Sequence, residues 1–149
     1  MDCLCCREVA GDVDLPGGLL YDDAGAICFH IPPMEQRPRP YLGHLMVVTR
    51  RHVDHLGDLT DEEATSVARA ARTLAAALRA EGVERVHVAV IGTGVPHFHL
   101  HLFPRYPETP PDAEWTALDD LPDAPHGGAA EIEQLAARLT RRLRSWRAA

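Results

Sequence analysis

The sequence predicts an α+β fold, in which an antiparallel sheet packs against one long helix. Three observations lead to this prediction. Residues 97–103 alternate strictly between histidine and apolar side chains, an Ala-rich segment after Thr60 has helical periodicity, and short apolar runs are separated by Gly, Pro and Asp. A chain of 149 residues suits one domain with its own hydrophobic core.

The strands are predicted where short apolar runs lie between turn signals. They cover residues 19–21, 26–29, 45–49, 86–91 and 97–103. The first two form a hairpin around a turn at residues 22–25. The stretch before residue 19 is expected to be irregular. Residues 32–40 should form an exposed loop, because prolines lack a backbone N–H and do not fit a helix or a central strand.

Two helices are predicted. Thr60 and Glu63 stand at the spacing of a capping box, and apolar residues recur at helical spacing from there to Gly82. A second helix is expected at residues 131–146, where it ends in a cluster of basic residues. Residues 104–128 are rich in Pro and Asp, which favours a long loop.

The composition restricts the classes of partner. The formal net charge is -7 and the isoelectric point is near 5.6, so a broad nucleic-acid-binding surface is not expected. No apolar run approaches the roughly 20 residues that span a bilayer, and the first six residues lack the basic start of a signal peptide. We therefore expect no nucleic-acid or membrane partner and a cytoplasmic location. A small anionic ligand is still compatible with this charge.

The alternation in residues 97–103 places three imidazoles together. In a strand, residues i, i+2 and i+4 share a face and lie roughly 6.5 Å apart along it. His97, His99 and His101 are therefore predicted to line one face, while the apolar residues between them pack into the core. Three adjacent imidazoles add little to the stability of a sheet, so this pattern indicates a functional site.

The pattern His-φ-His-φ-His-φ-φ, where φ is apolar, resembles the signature of the histidine triad (HIT) superfamily of nucleotide hydrolases and transferases. Residues 43–52 resemble the upstream strand of that family, and residues 20–23 resemble its early hairpin. The resemblance implies a HIT-like sheet of about five strands with one long helix and a C-terminal helix. It implies a single domain over residues 1–149, with a core at about 3–105 and a variable segment at 106–149.

The resemblance also implies a mechanism. His99 would attack the α-phosphorus of a nucleotide ester, anhydride or phosphoramidate and form a covalent nucleotidyl-histidine. His101 would hold the phosphate oxygens or protonate the leaving group, and His44 would assist at the same leaving-group atom. Dinucleoside polyphosphates and adenosine phosphoramidates are the expected substrates. The alternative function is a nucleotide-binding or scaffold protein with little turnover.

The residues expected to contact the nucleotide are Phe29, His30, Thr93, Gly94 and Val95. The glycine-containing loop before the triad would present backbone N–H groups to the phosphate. At the expected substrate contacts, the sequence differs from the family pattern in two places. Thr93 and Gly94 stand where relatives carry Gln and Ser or Thr, and His30 stands where they carry an acidic or amide residue that contacts ribose.

A metal site is predicted near the N-terminus. Cys3 and Cys6 have the C-x-x-C spacing of zinc ligands, which alone is a weak signal. In the zinc-binding bacterial type of the family, two such cysteines join the His after a basic pair and the first triad histidine. The implied ligands of a structural zinc are Cys3, Cys6, His52 and His97.

Alternatives to this metal set stay open. Cys5 could replace a cysteine ligand, and His55 could compete with His52. A third interpretation makes His97, His99 and His101 ligands of one catalytic metal, but no carboxylate stands at the spacing of metallohydrolases. Nothing in the resemblance implies an organic cofactor. The family's common homodimer is expected here too.

Overall fold

The computed structural model describes residues 3–147. Its helices are α1 (Leu4–Ala10), α2 (Asp61–Ala80) and α3 (Ala129–Arg147), and its strands are β1 (Tyr21–Asp22), β2 (Ala26–His30), β3 (Leu45–Thr49), β4 (Arg85–Ala89) and β5 (His99–Arg105). Two 3₁₀ helices occur at Leu56–Asp58 and Trp115–Asp120. None of the helices in this range is long and apolar enough to cross a membrane.

The five strands form one antiparallel sheet in the order β1-β2-β3-β5-β4. This arrangement confirms the predicted α+β fold with about five strands. In the register of β3 and β5, Val48 lies opposite His99 and Met46 lies opposite His101. The centre of the sheet therefore carries two of the triad histidines.

The two faces of the sheet have separate cores, because successive strand residues point to opposite sides. On one face, β-strand residues such as Val47 and Leu102 pack with Leu74 of α2 and Leu139 of α3. On the other face, a smaller group packs beneath α1 and consists of Cys3, Cys5, Ile27, Phe29 and Val48. The triad histidines of β5 lie on this second face, beside α1.

The long helix begins as predicted. The side chain of Thr60 accepts a hydrogen bond from Glu63 N, and the Glu63 carboxylate accepts one from Thr60 N. Two guanidinium nitrogens of Arg51 also donate to this carboxylate, at 2.8 and 2.7 Å. The capping box thus connects the start of α2 to the segment after β3.

Several boundaries differ from the prediction: β1 is Tyr21–Asp22 rather than residues 19–21, β4 is Arg85–Ala89 rather than residues 86–91, and α3 begins at Ala129 rather than residue 131. Leu4–Ala10 is helical rather than irregular; it is short and has no side-chain cap at its start, so packing of its buried face must supply its stability. The last strand begins at His99 rather than His97. Phe98 N donates to the carbonyl of Val53, which lies beyond the end of β3, so ladder pairing with β3 starts one residue later.

Candidate active site and adjoining metal-ligand cluster

A cavity of about 760 Å³ lies on the sheet face beside α1. This volume is in the range of small-molecule sites. The sheet side of its wall holds His44, His99 and His101, and the helix side holds Leu4, Cys5 and Glu8. The triad histidines of β5 therefore open onto a space that suits a small ligand.

His99 has a defined proton position. Its Nδ1 lies 2.7 Å from the backbone carbonyl oxygen of His97. Because a carbonyl oxygen only accepts hydrogen bonds, Nδ1 must carry the proton and Nε2 must carry the lone pair. The buried ring of His99 lines the cavity, and the ring nitrogen that keeps a free lone pair is Nε2.

His101 and His44 form a hydrogen-bonded pair. Nε2 of His44 lies 2.9 Å from Nδ1 of His101. Burial lowers the pKa of His101 to about 4, and burial followed by the neighbouring His101 lowers the pKa of His44 well below its usual value. Both rings are therefore neutral at physiological pH, so one nitrogen of the pair donates and the other accepts.

The surroundings of His44 decide the direction of this bond. Nδ1 of His44 is buried and has no hydrogen-bond partner within residues 3–147. Unpaired buried N–H groups are rarer than unpaired acceptors, so the proton of His44 is best placed on Nε2, which then donates to His101. His101 must in turn carry its own proton on Nε2. The adjacent rings of His99 and His101, with centroids 5.0 Å apart, thus offer a lone pair and an N–H donor.

The Gly43-His44 pair that precedes β3 requires glycine at its first position. Its φ is 85°, and a Cβ at this position would lie 2.8 Å from Cγ of Pro104, so only glycine fits. Its N–H donates to Nε2 of His30 at 2.9 Å. Gly43 therefore brings His44 close to β5 while tying it to β2.

His30 uses both ring nitrogens inside the protein. Nε2 accepts from Gly43, and Nδ1 donates to the carbonyl oxygen of Ile31 at 2.7 Å. Burial lowers the pKa of His30 to about 4. A contact between a ring nitrogen and ribose would require one of these bonds to open. The substrate-binding role of His30 stays a prediction.

The other predicted substrate contacts differ in whether they line the cavity. Val95 lines the cavity together with His99. Phe29 is fully buried in the smaller core, and Thr93 and Gly94 are exposed in the loop before the triad. Of these residues, the described structure brings only Val95 to the cavity wall, and the roles of the others stay predictions.

Two cavity residues have no signal in the sequence that predicts them. Glu8 reaches the wall because residues 4–10 are helical, and burial raises the pKa of its carboxyl group to about 7. Arg37 reaches it because the proline-rich loop folds back, with a bridge between Met34 and Arg37. The Arg37 guanidinium lies 2.9 Å from the carboxylate of Asp119, a pairing that no local sequence signal indicates.

The four predicted metal ligands lie together. One ligand atom from each of Cys3, Cys6, His52 and His97 lies within 4.8 Å of the others. Nδ1 of His97 is 3.4 Å from Sγ of Cys3 and 3.5 Å from Sγ of Cys6, and Nδ1 of His52 is 3.2 Å from Sγ of Cys6. In tetrahedral zinc sites, sulfur and nitrogen ligands lie roughly 3.5 Å apart.

The orientation of His97 also fits a metal ligand. Its Nε2 donates to the carbonyl oxygen of Thr49 at 2.8 Å, so the lone pair on Nδ1 faces the two cysteines. A hydrogen bond of this kind commonly orients histidines that bind metals. The ring of His97 therefore belongs to the cysteine cluster and does not converge with His99 and His101 on a common ion. Cys5 packs in the smaller core and His55 pairs with Asp54, so neither joins the cluster.

Comparisons with known proteins agree with this geometry. A family model described as the HIT domain matches residues 20–108. The chain is 29% identical over 112 residues to Protein hit of Bacillus subtilis, which covers 70% of this chain and 72% of that protein. A zinc-bound histidine triad family protein of Mycobacterium smegmatis has a TM-score of 0.71 at 23% identity over 97% of both chains. A hypothetical histidine triad nucleotide-binding protein of Sulfolobus tokodaii has a TM-score of 0.71 at 13% identity, covering 96% of this chain and 93% of that one.

Proposed function

Given that this chain belongs to the HIT domain family and is an enzyme of that family, we propose that it hydrolyses or transfers a nucleotidyl group through a covalent intermediate on His99. The reaction takes place at the α-phosphate of a nucleotide ester, anhydride or phosphoramidate. The observation that carries the proposal is the pair of neighbouring rings whose hydrogen bonds assign them opposite proton positions. His99 holds a lone pair on Nε2, and His101 holds a proton on Nε2.

The chemistry follows from these two nitrogens. Nε2 of His99 attacks the α-phosphorus, so a P–N bond forms while the bond to the leaving group breaks. The leaving oxygen or nitrogen takes the proton from Nε2 of His101, and the negative charge left on the His101 ring is stabilised by the hydrogen bond that Nε2 of His44 donates to it. Water then attacks the same phosphorus, gives up its proton to His101 and releases His99. The carbonyl of His97 stabilises the positive charge that His99 carries while it is bonded to phosphorus.

His44 supports the general acid in this scheme. Its hydrogen bond to Nδ1 of His101 keeps that ring in the tautomer with a proton on Nε2. Arg37 supplies positive charge at the cavity wall, which favours an anionic substrate. Dinucleoside polyphosphates and adenosine phosphoramidates are the substrate classes that we propose.

We further propose that Cys3, Cys6, His52 and His97 bind a structural zinc ion. Two cysteines and two histidines form a closed ligand set that leaves no position for substrate. The ion would hold α1 against the triad and fix the ring of His97. The zinc-bound relative from Mycobacterium smegmatis supports zinc as the metal.

A homodimer is the assembly that we propose. β4 is an edge strand of the sheet, and Val88, Val90 and Ile91 on or after it are exposed by 46–54%. Apolar side chains along an open strand edge favour pairing with another chain.

The cytoplasmic location and the division between residues 3–105 and 106–149 stay predictions.

The second candidate function is a nucleotide-binding protein with little turnover. The exposed position of Thr93 and Gly94 favours it, because this loop brings no amide side chain to the cavity. Trapping the intermediate distinguishes the two functions. The protein is mixed with adenosine and guanosine phosphoramidates and with diadenosine polyphosphates, quenched in cold alkaline denaturant, and analysed by intact mass and peptide mapping.

We expect one nucleotidyl group on His99 during turnover. Product release without any adduct would contradict the covalent mechanism. Binding of nucleotides without product or adduct would favour the second candidate.

A further inference from the structure

α1 contributes a carboxyl group to the cavity wall. Glu8 lies in the second turn of this helix and is only 3% exposed. Leu4 and Cys5 precede it by four and three residues, so the three side chains share one face of the helix and line the cavity together. Leu4 is apolar and the Cys5 thiol is only a weak hydrogen-bond donor to the carboxyl group, and acidic residues are rarely buried without a strong partner. Packing alone therefore does not explain a glutamate at this position.

The carboxyl group of Glu8 has an unused acceptor. Its Oε2 atom has no hydrogen-bond partner in the described range 3–147. Buried polar side chains nearly always have a partner, so each exception calls for a physical reason. Nδ1 of His44 shares this property, and His44 lines the same cavity. Two unpaired polar groups around one cavity indicate that a ligand completes their hydrogen bonds.

The rest of the cavity limits the chemistry of that ligand. Ile31, Met46 and Val95 give it apolar walls, which suit a flat heteroaromatic ring. A carboxylate accepts hydrogen bonds from N–H groups. Guanine offers two adjacent donors on one edge, N1–H and the 2-amino group. Adenine offers an acceptor, N1, beside its single amino group, so a carboxylate meets a repulsive atom there.

We propose that Glu8 selects guanine over adenine by accepting hydrogen bonds from N1–H and the 2-amino group of the base. This inference rests on the proposed function, because it takes the phosphate of the nucleotide to lie at His99 and His101, and it changes the preferred base of the proposed substrates from adenine to guanine. The terminal torsion of a glutamate is soft, so the carboxyl group can turn an oxygen towards the base. Inosine keeps N1–H and lacks the amino group, so its affinity should lie between those of the other two bases.

Calorimetric titration with GMP, IMP and AMP tests the proposal at one fixed pH well above 7, where the carboxyl group of Glu8 is ionised. Wild-type protein is expected to bind GMP about tenfold or more tightly than AMP, with IMP between them. Glu8→Leu removes the acceptor and should bring the GMP and AMP affinities to within about twofold. Glu8→Gln keeps the shape and adds an N–H donor, so it should shift the preference towards AMP.

The controls separate this inference from the proposed function. Asp12→Asn changes an exposed acidic residue just after α1 that does not line the cavity, and it should leave the ratio of affinities unchanged. Melting curves establish whether the variants fold. If Glu8→Leu does not fold, the isosteric Glu8→Gln tests the proposal. Equal GMP-to-AMP ratios in the wild type and the folded variant would overturn the role of Glu8. Failure of all three nucleotides to bind the wild type would contradict the proposed function itself.

Discussion

The backbone carbonyl of His97 orients the ring of His99 through a hydrogen bond of 2.7 Å. The ring of the same His97 lies 3.4 Å from Sγ of Cys3. One residue therefore joins the cysteine cluster to the ring whose other nitrogen, Nε2 of His99, we propose as the nucleophile. A change in the cluster can reach the active site through this single residue.

His99→Ala tests the nucleophile. Turnover should fall by more than about a thousandfold, because no other imidazole has a free Nε2 lone pair at this position. Nucleotide binding and the melting temperature should stay close to wild type. His55→Ala removes an exposed histidine outside the cavity and serves as the matched control. Turnover that survives in His99→Ala at a near wild-type rate would refute the mechanism.

His52→Ala tests the metal cluster. The purified wild type should contain about one zinc ion per chain, and chelation should lower its melting temperature by about 5 °C or more. His52→Ala should lose the metal and show the same lower melting temperature. His55→Ala should keep the metal, because His55 lies outside the cluster. A metal-free wild-type preparation with full stability would contradict the zinc site.

The buried ring of His30 predicts a loss of stability in acid. Its pKa is about 4 in the folded chain and about 6.5 when unfolded, so between these values the unfolded state takes up a proton that the folded state does not. The contribution of the neutral His30 ring to the free energy of unfolding is fully present above about pH 6.5 and is lost as the pH falls towards 4. This group alone accounts for up to about 3 kcal/mol.

Urea unfolding of wild type and His30→Gln across this pH window measures the effect. Acid also protonates the predicted metal ligands, so the informative quantity is the difference between the two proteins. The variant should lose stability less steeply on acidification. His55→Gln, which changes an exposed ring, should follow the wild type. Parallel curves for wild type and His30→Gln would contradict the prediction.

Thr60→Ala tests the start of α2. The substitution removes the acceptor for Glu63 N and should lower the free energy of unfolding by about 1 kcal/mol. Thr65→Ala, at an exposed position inside the same helix, should be neutral or slightly stabilising because alanine has the higher helix propensity. Chemical denaturation compares the two variants. Equal changes in the free energy of unfolding for the two variants would mean that the Thr60 cap does not stabilise the protein.

Val88→Lys tests the proposed dimer. The wild type should sediment at about twice the chain mass of 16.4 kDa, and a charged side chain beside the β4 edge should shift it to the monomer. Leu56→Lys changes an exposed leucine in a 3₁₀ helix and should leave the assembly intact. A monomeric wild type would show that this edge is not an interface.

Local patterns were enough to predict most of the sheet and the long helix. The alternation of β5 and the capping box at Thr60 depend on residues a few positions apart, so the sequence displays them directly. α1 was missed because its seven residues have no side-chain cap and depend on packing of Cys5 against strands from elsewhere in the chain. Contacts of that kind have no local signature.

In the candidate site, too, features that depend on local sequence could be predicted and features that depend on long-range contacts could not. The position of His99 at the cavity wall and the cluster of Cys3 with His97 could be predicted from spacing and family resemblance. Glu8 could not, because its position in the cavity depends on α1 being a helix. Arg37 could not either, since its partner Asp119 lies 82 positions later in the chain.

α1 has an arrangement that suits redesign. Cys6 belongs to the cluster that we expect to hold this helix in place, while Leu4 and Glu8 of the same helix face the cavity. The residues that fasten the segment are thus different from those that meet the ligand. The base selection that we propose would therefore depend on one seven-residue helix, whose cavity-facing residues can be exchanged without altering the histidines of β3 and β5.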